Sequence, residues 1–367
     1  MKRHCKRWVA VLLLPIIAIS FSFFKTTDPV QGVKIPDLPV NLVPVVPEIQ
    51  KDQAAGYFSV NMTAGQTVPM NLKLENTSKK TISVRIKPVV ATTNAEGTIS
   101  YLPTDRPKDN SLILDFTKLG AKAQTVTLAP EEVKEVAQSI TIPADSTFNG
   151  TVLGSFYVWS PKIDNQKRQK AAKKKGVSVY NVYGMYIGAV INVGAATSVN
   201  VDFKLNQVKP GVNGGKPAVL ANLQNFKAQS LPNKALTVNA KVYAKGSNKV
   251  IKDMGVKKMS FAPNSNVDLP ISWGSDEIQA GDYTLKLTAK TALKTWHFKK
   301  NFTVSGKQAQ SVNQVLPKKN SYLWLWILLA IVIIIAGIVL MSYLYRRGVH
   351  KGQAQSSKTP HQRRRKR

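Results

Sequence analysis

The stretch from Leu323 to Tyr345 carries no charged residue. As a helix rising 1.5 Å per residue it is roughly 35 Å long, enough to cross a hydrocarbon core of about 30 Å. Tyr322, Trp324 and Trp326 stand at one end and Tyr343 and Tyr345 at the other, where amphipathic rings settle at a membrane–water boundary. Arg346 and Arg347 follow at once, and the chain ends on Arg363 to Arg367. Cationic flanks stay on the cytoplasmic side, so the tail is expected inside and everything before the stretch outside, N-terminus included. Leu316-Pro317-Lys318-Lys319-Asn320 ahead of it has the layout of a sortase sorting signal. Lys319 and Asn320 stand where that signal has its scissile Thr-Gly pair, so the helix is expected to remain as the anchor.

The opposite end has a second apolar run. Met1 to Arg7 is basic and Trp8 to Phe24 apolar, the pattern of a secretory signal peptide; an uncleaved signal anchor is the alternative. Cys5 precedes this run and is the only cysteine among 367 residues. Removal of the segment leaves no thiol, which excludes disulfides, cysteine-ligated metals and a cysteine nucleophile.

The formal net charge is +32. Basic residues crowd both termini, but the stretch between them holds all 20 acids and is still strongly basic. A cationic extracellular surface attracts polyanions, which in a Gram-positive wall would be teichoic acids, rather than nucleic acid. The densest cluster is Lys167, Arg168, Lys170, Lys173, Lys174 and Lys175, a candidate contact for wall polymer and equally a solvated loop.

From Gly56 to Val304 the chain reads as short alternating strands separated by turns. Ile82, Val84 and Ile86 alternate with Ser83, Arg85 and Lys87, for example, and Asn76-Thr77-Ser78-Lys79, Asn94-Ala95-Glu96-Gly97 and Asn149-Gly150 are turn sequences. The expected fold is all-β: two β-sandwich domains in tandem, with the signal peptide before them and one transmembrane helix after. The expected boundaries are 1–27 signal peptide, 28–48 a proline-rich leader, 49–162 the first sandwich, 163–176 a basic loop, 177–305 the second sandwich, 306–321 a stalk, 322–345 the membrane helix and 346–367 a basic cytoplasmic tail.

Chemistry for catalysis is lacking. His297 is the only histidine between the terminal segments, no metal-ligand or nucleophile motif occurs in context, and the sparse acids sit mostly in turns. The chain is read as no enzyme and as needing no cofactor or metal. Tyr57, Tyr101 and Tyr157 are candidates for stacking on sugar rings, with core filling as their alternative role.

Two sets of segments resemble the WxL-interacting proteins of Gram-positive bacteria. The first is Gly56-Tyr57-Phe58-Ser59-Val60, Leu74-Glu75-Asn76-Thr77-Ser78, Ala91 to Tyr101 and Phe148 to Gly154; it is similar to that family's peptidoglycan-binding domain. The second is Leu223-Gln224-Asn225, Met259 to Ser265, Ile271-Ser272-Trp273, Ala280-Gly281-Asp282-Tyr283 and Thr295 to Phe302; it is similar to the host-binding domain. The resemblance implies immunoglobulin-like sandwiches and a role in surface complexes with a WxL-domain protein, with a host extracellular protein as a further partner. It carries no residue-level binding motif. A host-matrix adhesin or structural surface protein that ignores wall polymer is the competing reading.

Overall fold

The computed structural model describes residues 38–163, 183–317 and 323–356. The expected signal peptide and the Lys167–Lys175 cluster lie outside these residues. The chain divides into two compact units. The first comprises Met1–Phe203, Asn225–Lys234 and Ser260–Asn266; the second comprises Lys204–Gln224, Ala235–Met259 and Val267–Arg367.

The first unit contains β1 (Val40–Pro44), β2 (Phe58–Met62), β3 (Thr67–Pro69), β4 (Leu72–Asn76), β5 (Ile82–Val90), β6 (Thr92–Thr93), β7 (Ile99–Ser100), β8 (Gln124–Leu128), β9 (Val133–Val136), β10 (Ser139–Thr141), β11 (Gly150–Trp159) and β12 (Gly184–Val193). One sheet has the order β2-β12-β11-β5-β8; β1-β4-β9 and β10-β3 form two smaller sheets and β6-β7 a short hairpin. The period-two pattern sets the faces. In β5, Ile82, Val84 and Ile86 are buried while Arg85 and Lys87 are exposed. Leu72 and Leu74 of β4, Ile140 of β10, and Phe156 and Val158 of β11 share one core, so the sheets close on each other as a sandwich. At its centre Phe156 takes edge-on contacts from Phe58 (5.9 Å, 85°) and Phe116 (5.5 Å, 67°). Each buried ring of this kind is worth about 1.5–3 kcal/mol over leaving it in water.

Two features of the first unit depart from the sequence expectation. The proline-rich leader holds a strand: β1 pairs antiparallel with β4 from Val40↔Asn76 to Pro44↔Leu72, and Leu38 and Val40 enter the core. β1 is an edge strand, where a proline's missing N–H costs no ladder bond. The second is β12, which the sequence reading grouped with the second sandwich. It lies in the first unit, antiparallel to β11 over ten residue pairs and parallel to β2. Its inward residues Ile187, Ala189, Ile191 and Val193 complete the first core, and it is the strand that holds β2 in the sheet.

The second unit is built chiefly from β13 (Phe203–Asn213), β14 (Lys216–Asn225), β15 (Leu231–Ala244), β16 (Val250–Phe261), β17 (Ser265–Ser272), β18 (Gly281–Lys290) and β19 (Thr295–Val304), arranged as β13-β14-β17 and β16-β15-β18-β19. Both sheets bury alternate residues, such as Ala221, Leu223, Leu269 and Ile271 in the first and Val238, Ala240, Leu285 and Leu287 in the second. Trp273 and Trp296 are buried, as core residues. The segment read as a coil-like stalk begins instead with a helix, α1 (Gly306–Asn313). Ser305 and Gln308 close a capping box at its start, Ala309 and Val312 are buried, and Asn313 exchanges two hydrogen bonds with the backbone of Ile278 (2.9 and 3.0 Å). The final helix, α2 (Leu323–Ser356), includes the uncharged stretch. Its segment Trp324–Tyr345 is long and apolar enough to cross a membrane, and none of it is buried.

Candidate functional site

The outer face of the five-stranded sheet collects the aromatic residues that the sequence scatters. Strand register decides which side chains meet, because directly opposed residues project on the same side. Tyr157 of β11 faces Tyr186 of β12 on one flank and Lys87 of β5 on the other. Two positions on, Trp159 faces Gly184 and Arg85. Their neighbours Phe156 and Val158 point into the core, so these residues form the outward surface.

Two aromatic pairs stand on this face. Tyr101, just after β7, stacks on Tyr186 with centroids 5.6 Å apart and planes 18° from parallel. Tyr157 stacks on Trp159 at 5.4 Å and 29°, and the Arg85 guanidinium lies 5.8 Å from the Trp159 ring centre. Tyr57 joins the first pair beside Gly188: a Cβ added there would lie 3.8 Å from the Tyr101 ring and 3.9 Å from the Tyr57 Cβ. Tyr57 is 47% exposed and Tyr186 46%, so their ring surface is available to a ligand.

Buried polar groups hold these rings in place. The hydroxyl of Ser155, fully buried in β11, donates to the Tyr101 carbonyl at 2.6 Å. Gln50 is buried; its amide donates to the carbonyls of Asp52 and Tyr57 (2.9 and 3.1 Å) while its carbonyl oxygen accepts from the Ser59 N–H at 2.7 Å. A polar side chain taken out of water needs such partners, and here they fix the backbone that presents Tyr57. Gly184 leaves the space that Tyr157 fills: a Cβ at 184 would sit 2.2 Å from the Tyr157 hydroxyl. Burial, with Tyr186 and then Tyr57 close by, pushes the Tyr101 hydroxyl above the usual tyrosine range, so it remains a neutral hydrogen-bond donor at physiological pH.

The structure thus brings Tyr57 and Tyr101 into one cluster and puts Tyr157 on the same sheet face with Trp159. Tyr186 is the member that sequence reasoning left unassigned. Its signal was the outward parity of β12, visible only once that strand is placed beside β11. Stacked rings beside Arg85 and Lys87 offer flat apolar platforms next to cations, the chemistry that suits the C–H faces of sugars bearing carboxylates.

Comparison with known proteins gives two family models. Residues 41–160 match the peptidoglycan binding domain of WxL Interacting Protein, and residues 174–314 match its host binding domain. Both describe binding domains, and together they span most of the chain. No curated protein matches. Among solved structures, the chain overlaps a PapD-like domain of human CEP192 at 12% identity (50% of this chain, 99% of that one, TM-score 0.24). It overlaps the YadV chaperone at 12% (72% and 99%, TM-score 0.23) and the Pseudomonas aeruginosa CupB2 chaperone at 8% (67% and 97%, TM-score 0.24). Overlaps this weak bear on neither fold nor function.

Proposed function

Since this chain belongs to the WxL-interacting protein family, we propose that it is a membrane-anchored surface protein that holds the cell wall through the outer aromatic face of its first unit. The domain matched at 41–160 is a peptidoglycan binding domain, and the domain at 174–314 is a host binding domain. The observation that carries the residue-level reading is the cluster of Tyr57, Tyr101 and Tyr186 on the sheet that also presents Tyr157, Trp159, Arg85 and Lys87. Sugar rings of the wall glycan lie on the tyrosines, and the cations meet carboxylates of the polymer. The second domain docks a WxL-domain surface protein, a partner the family name supports, and contacts host protein. The apolar segment Trp324–Tyr345 anchors the chain, with Arg346 and Arg347 on the cytoplasmic side. The Lys167–Lys175 cluster adds charge attraction to wall polyanions.

The test is co-sedimentation of the full chain, in detergent, with purified peptidoglycan. The double variant Tyr57→Ala/Tyr186→Ala changes two exposed rings, so folding is retained; two lost stacking contacts weaken binding about ten-fold. The remaining binding of the unaltered protein persists in high salt, because stacking is not screened as charge attraction is. Undiminished sedimentation of the double variant rules out this face.

A further inference from the structure

The outer face of the sheet β16-β15-β18-β19 carries a row of three lysines that the sequence separates by 45 and 13 positions. Lys286 of β18 stands directly opposite Lys241 of β15 on one side and Lys299 of β19 on the other. Strands lie about 4.8 Å apart, so the row runs across the sheet for about 10 Å. Lys286 and Lys299 are exposed. Like charges placed directly opposite destabilise a sheet, so the row costs the fold stability.

Ordinary structural roles do not account for it. A lysine on an edge strand blunts unwanted pairing, which fits Lys299 on β19, but Lys241 and Lys286 belong to the two central strands. Among the described residues, Lys241 is the one of the three with a carboxylate partner, Asp253 at 3.3 Å. Lys286 lies instead over the Tyr243 ring at 4.7 Å. On β18 and β19 the rows on either side are threonine, histidine and asparagine. On one side Thr288 shares a hydrogen bond with the His297 imidazole at 3.2 Å. On the other, the Thr284 hydroxyl donates to the Asn301 carbonyl oxygen at 2.8 Å. Cations in a line, bordered by imidazole, amide and aromatic groups, match a sugar chain that carries regularly placed anions: ammonium groups meet the anions, and the exposed His297 and Asn301 meet ring hydroxyls.

We propose that this face of the second unit binds an anionic polysaccharide, with Lys286 and Lys299 as its charge contacts. The match of residues 174–314 to a host binding domain makes a sulfated host glycan the occupant, and a phosphate polymer without sugar rings serves as the contrasting probe. The full chain in detergent is titrated at physiological salt with a heparin oligosaccharide and, separately, with poly(glycerol phosphate). The variant Lys286→Gln/Lys299→Gln is compared with Lys79→Gln/Lys80→Gln, which removes equal charge from exposed positions of the first unit. The expected result is binding weakened about five-fold by the first pair and less than about two-fold by the second, since an exposed charge contact contributes modestly. The heparin oligosaccharide is the probe expected to show this difference, and a difference seen only with poly(glycerol phosphate) overturns the assignment. The Lys286→Gln/Lys299→Gln protein also melts no lower than the unaltered chain, because a like-charge repulsion has been removed. Tyr57→Ala/Tyr186→Ala leaves this binding unchanged, which separates it from wall attachment by the first unit. Equal weakening by the two lysine pairs, or no binding of either probe, overturns the proposal.

Discussion

Asp115 gathers three donors around one carboxylate. One oxygen accepts from the Thr117 N–H at 2.9 Å and from its hydroxyl at 2.7 Å, capping the short 3-10 turn Phe116–Lys118, while the other pairs with Lys108. Burial alone would raise its pKa, but the hydrogen bonds from Lys108 and Thr117 and the Lys108 charge outweigh burial and hold it below the usual aspartate range. A depressed native pKa means that the unfolded chain takes up the proton first as pH falls. The stabilisation is therefore complete above the usual aspartate value of about 3.9 and disappears as pH drops through the lower native value. Asp115→Ala is expected to cost about 1 kcal/mol at neutral pH, the ordinary worth of a cap. Thermal melts at falling pH should show its gap from the unaltered protein closing below about pH 4. A gap that stays constant would mean the carboxylate's charge does not contribute. Residue chemistry of this kind was only partly legible in the sequence. Tyr57, Tyr101 and Tyr157 could be picked out as stacking candidates from their type, but the ring that stacks on Tyr101 is Tyr186, 85 positions away. The Lys286 row was hidden for the same reason: amino-acid order does not state which residues face one another across strands.

At the scale of elements, periodicity made the strands readable and pairing did not follow from it. The alternation in β5 predicts which side of that strand is buried, and the structure agrees. β12 has an equally clear alternation, but nothing local says that it completes the first sandwich rather than opening the second. The decision rests on two non-local matches, to β11 and to β2, and on a core that its inner face completes. β1 was missed because prolines suggest an extended leader, a rule that relaxes on sheet edges. α1 was missed because eight residues with two buried apolar positions give too short a pattern to read. β11 shows how closely its sheet must approach the chain that covers it. Gly154 lies under Phe116, and a Cβ there would be 2.2 Å from the ring. Phe116 is fully buried and wedged against Phe156, so it has no room to yield. Gly154→Ala is expected to destabilise the protein by about 1–3 kcal/mol, the usual cost of overpacking a core. Denaturant unfolding would show this as a lower midpoint. An unchanged midpoint would mean that the segment around Phe116 moves aside freely.

For the molecule as a whole, the proposed membrane attachment depends on the balance between the apolar helix and any charge put into it. The Trp324–Tyr345 segment is long and apolar enough to cross a membrane, and each leucine, isoleucine or valine near a helix centre favours insertion by about 0.3–0.6 kcal/mol. One lysine at the centre costs about 3 kcal/mol, which such a segment can absorb, while two cost about 6 kcal/mol and offset most of the favourable sum. Ile331→Lys/Ile335→Lys is therefore expected to release protein into the medium, whereas Ile334→Lys alone leaves it with the membrane fraction; immunoblots of the two fractions would read the difference. Orientation needs its own measurement, since a helix of this composition inserts either way and the arginines decide. Protease added to wall-stripped, intact cells should degrade both sandwiches and leave a small fragment containing the helix and Arg363 to Arg367. Survival of the sandwiches with loss of only the arginine-rich end would invert the topology. The aromatic face and the lysine row would then lie inside the cell, away from wall and host glycans alike.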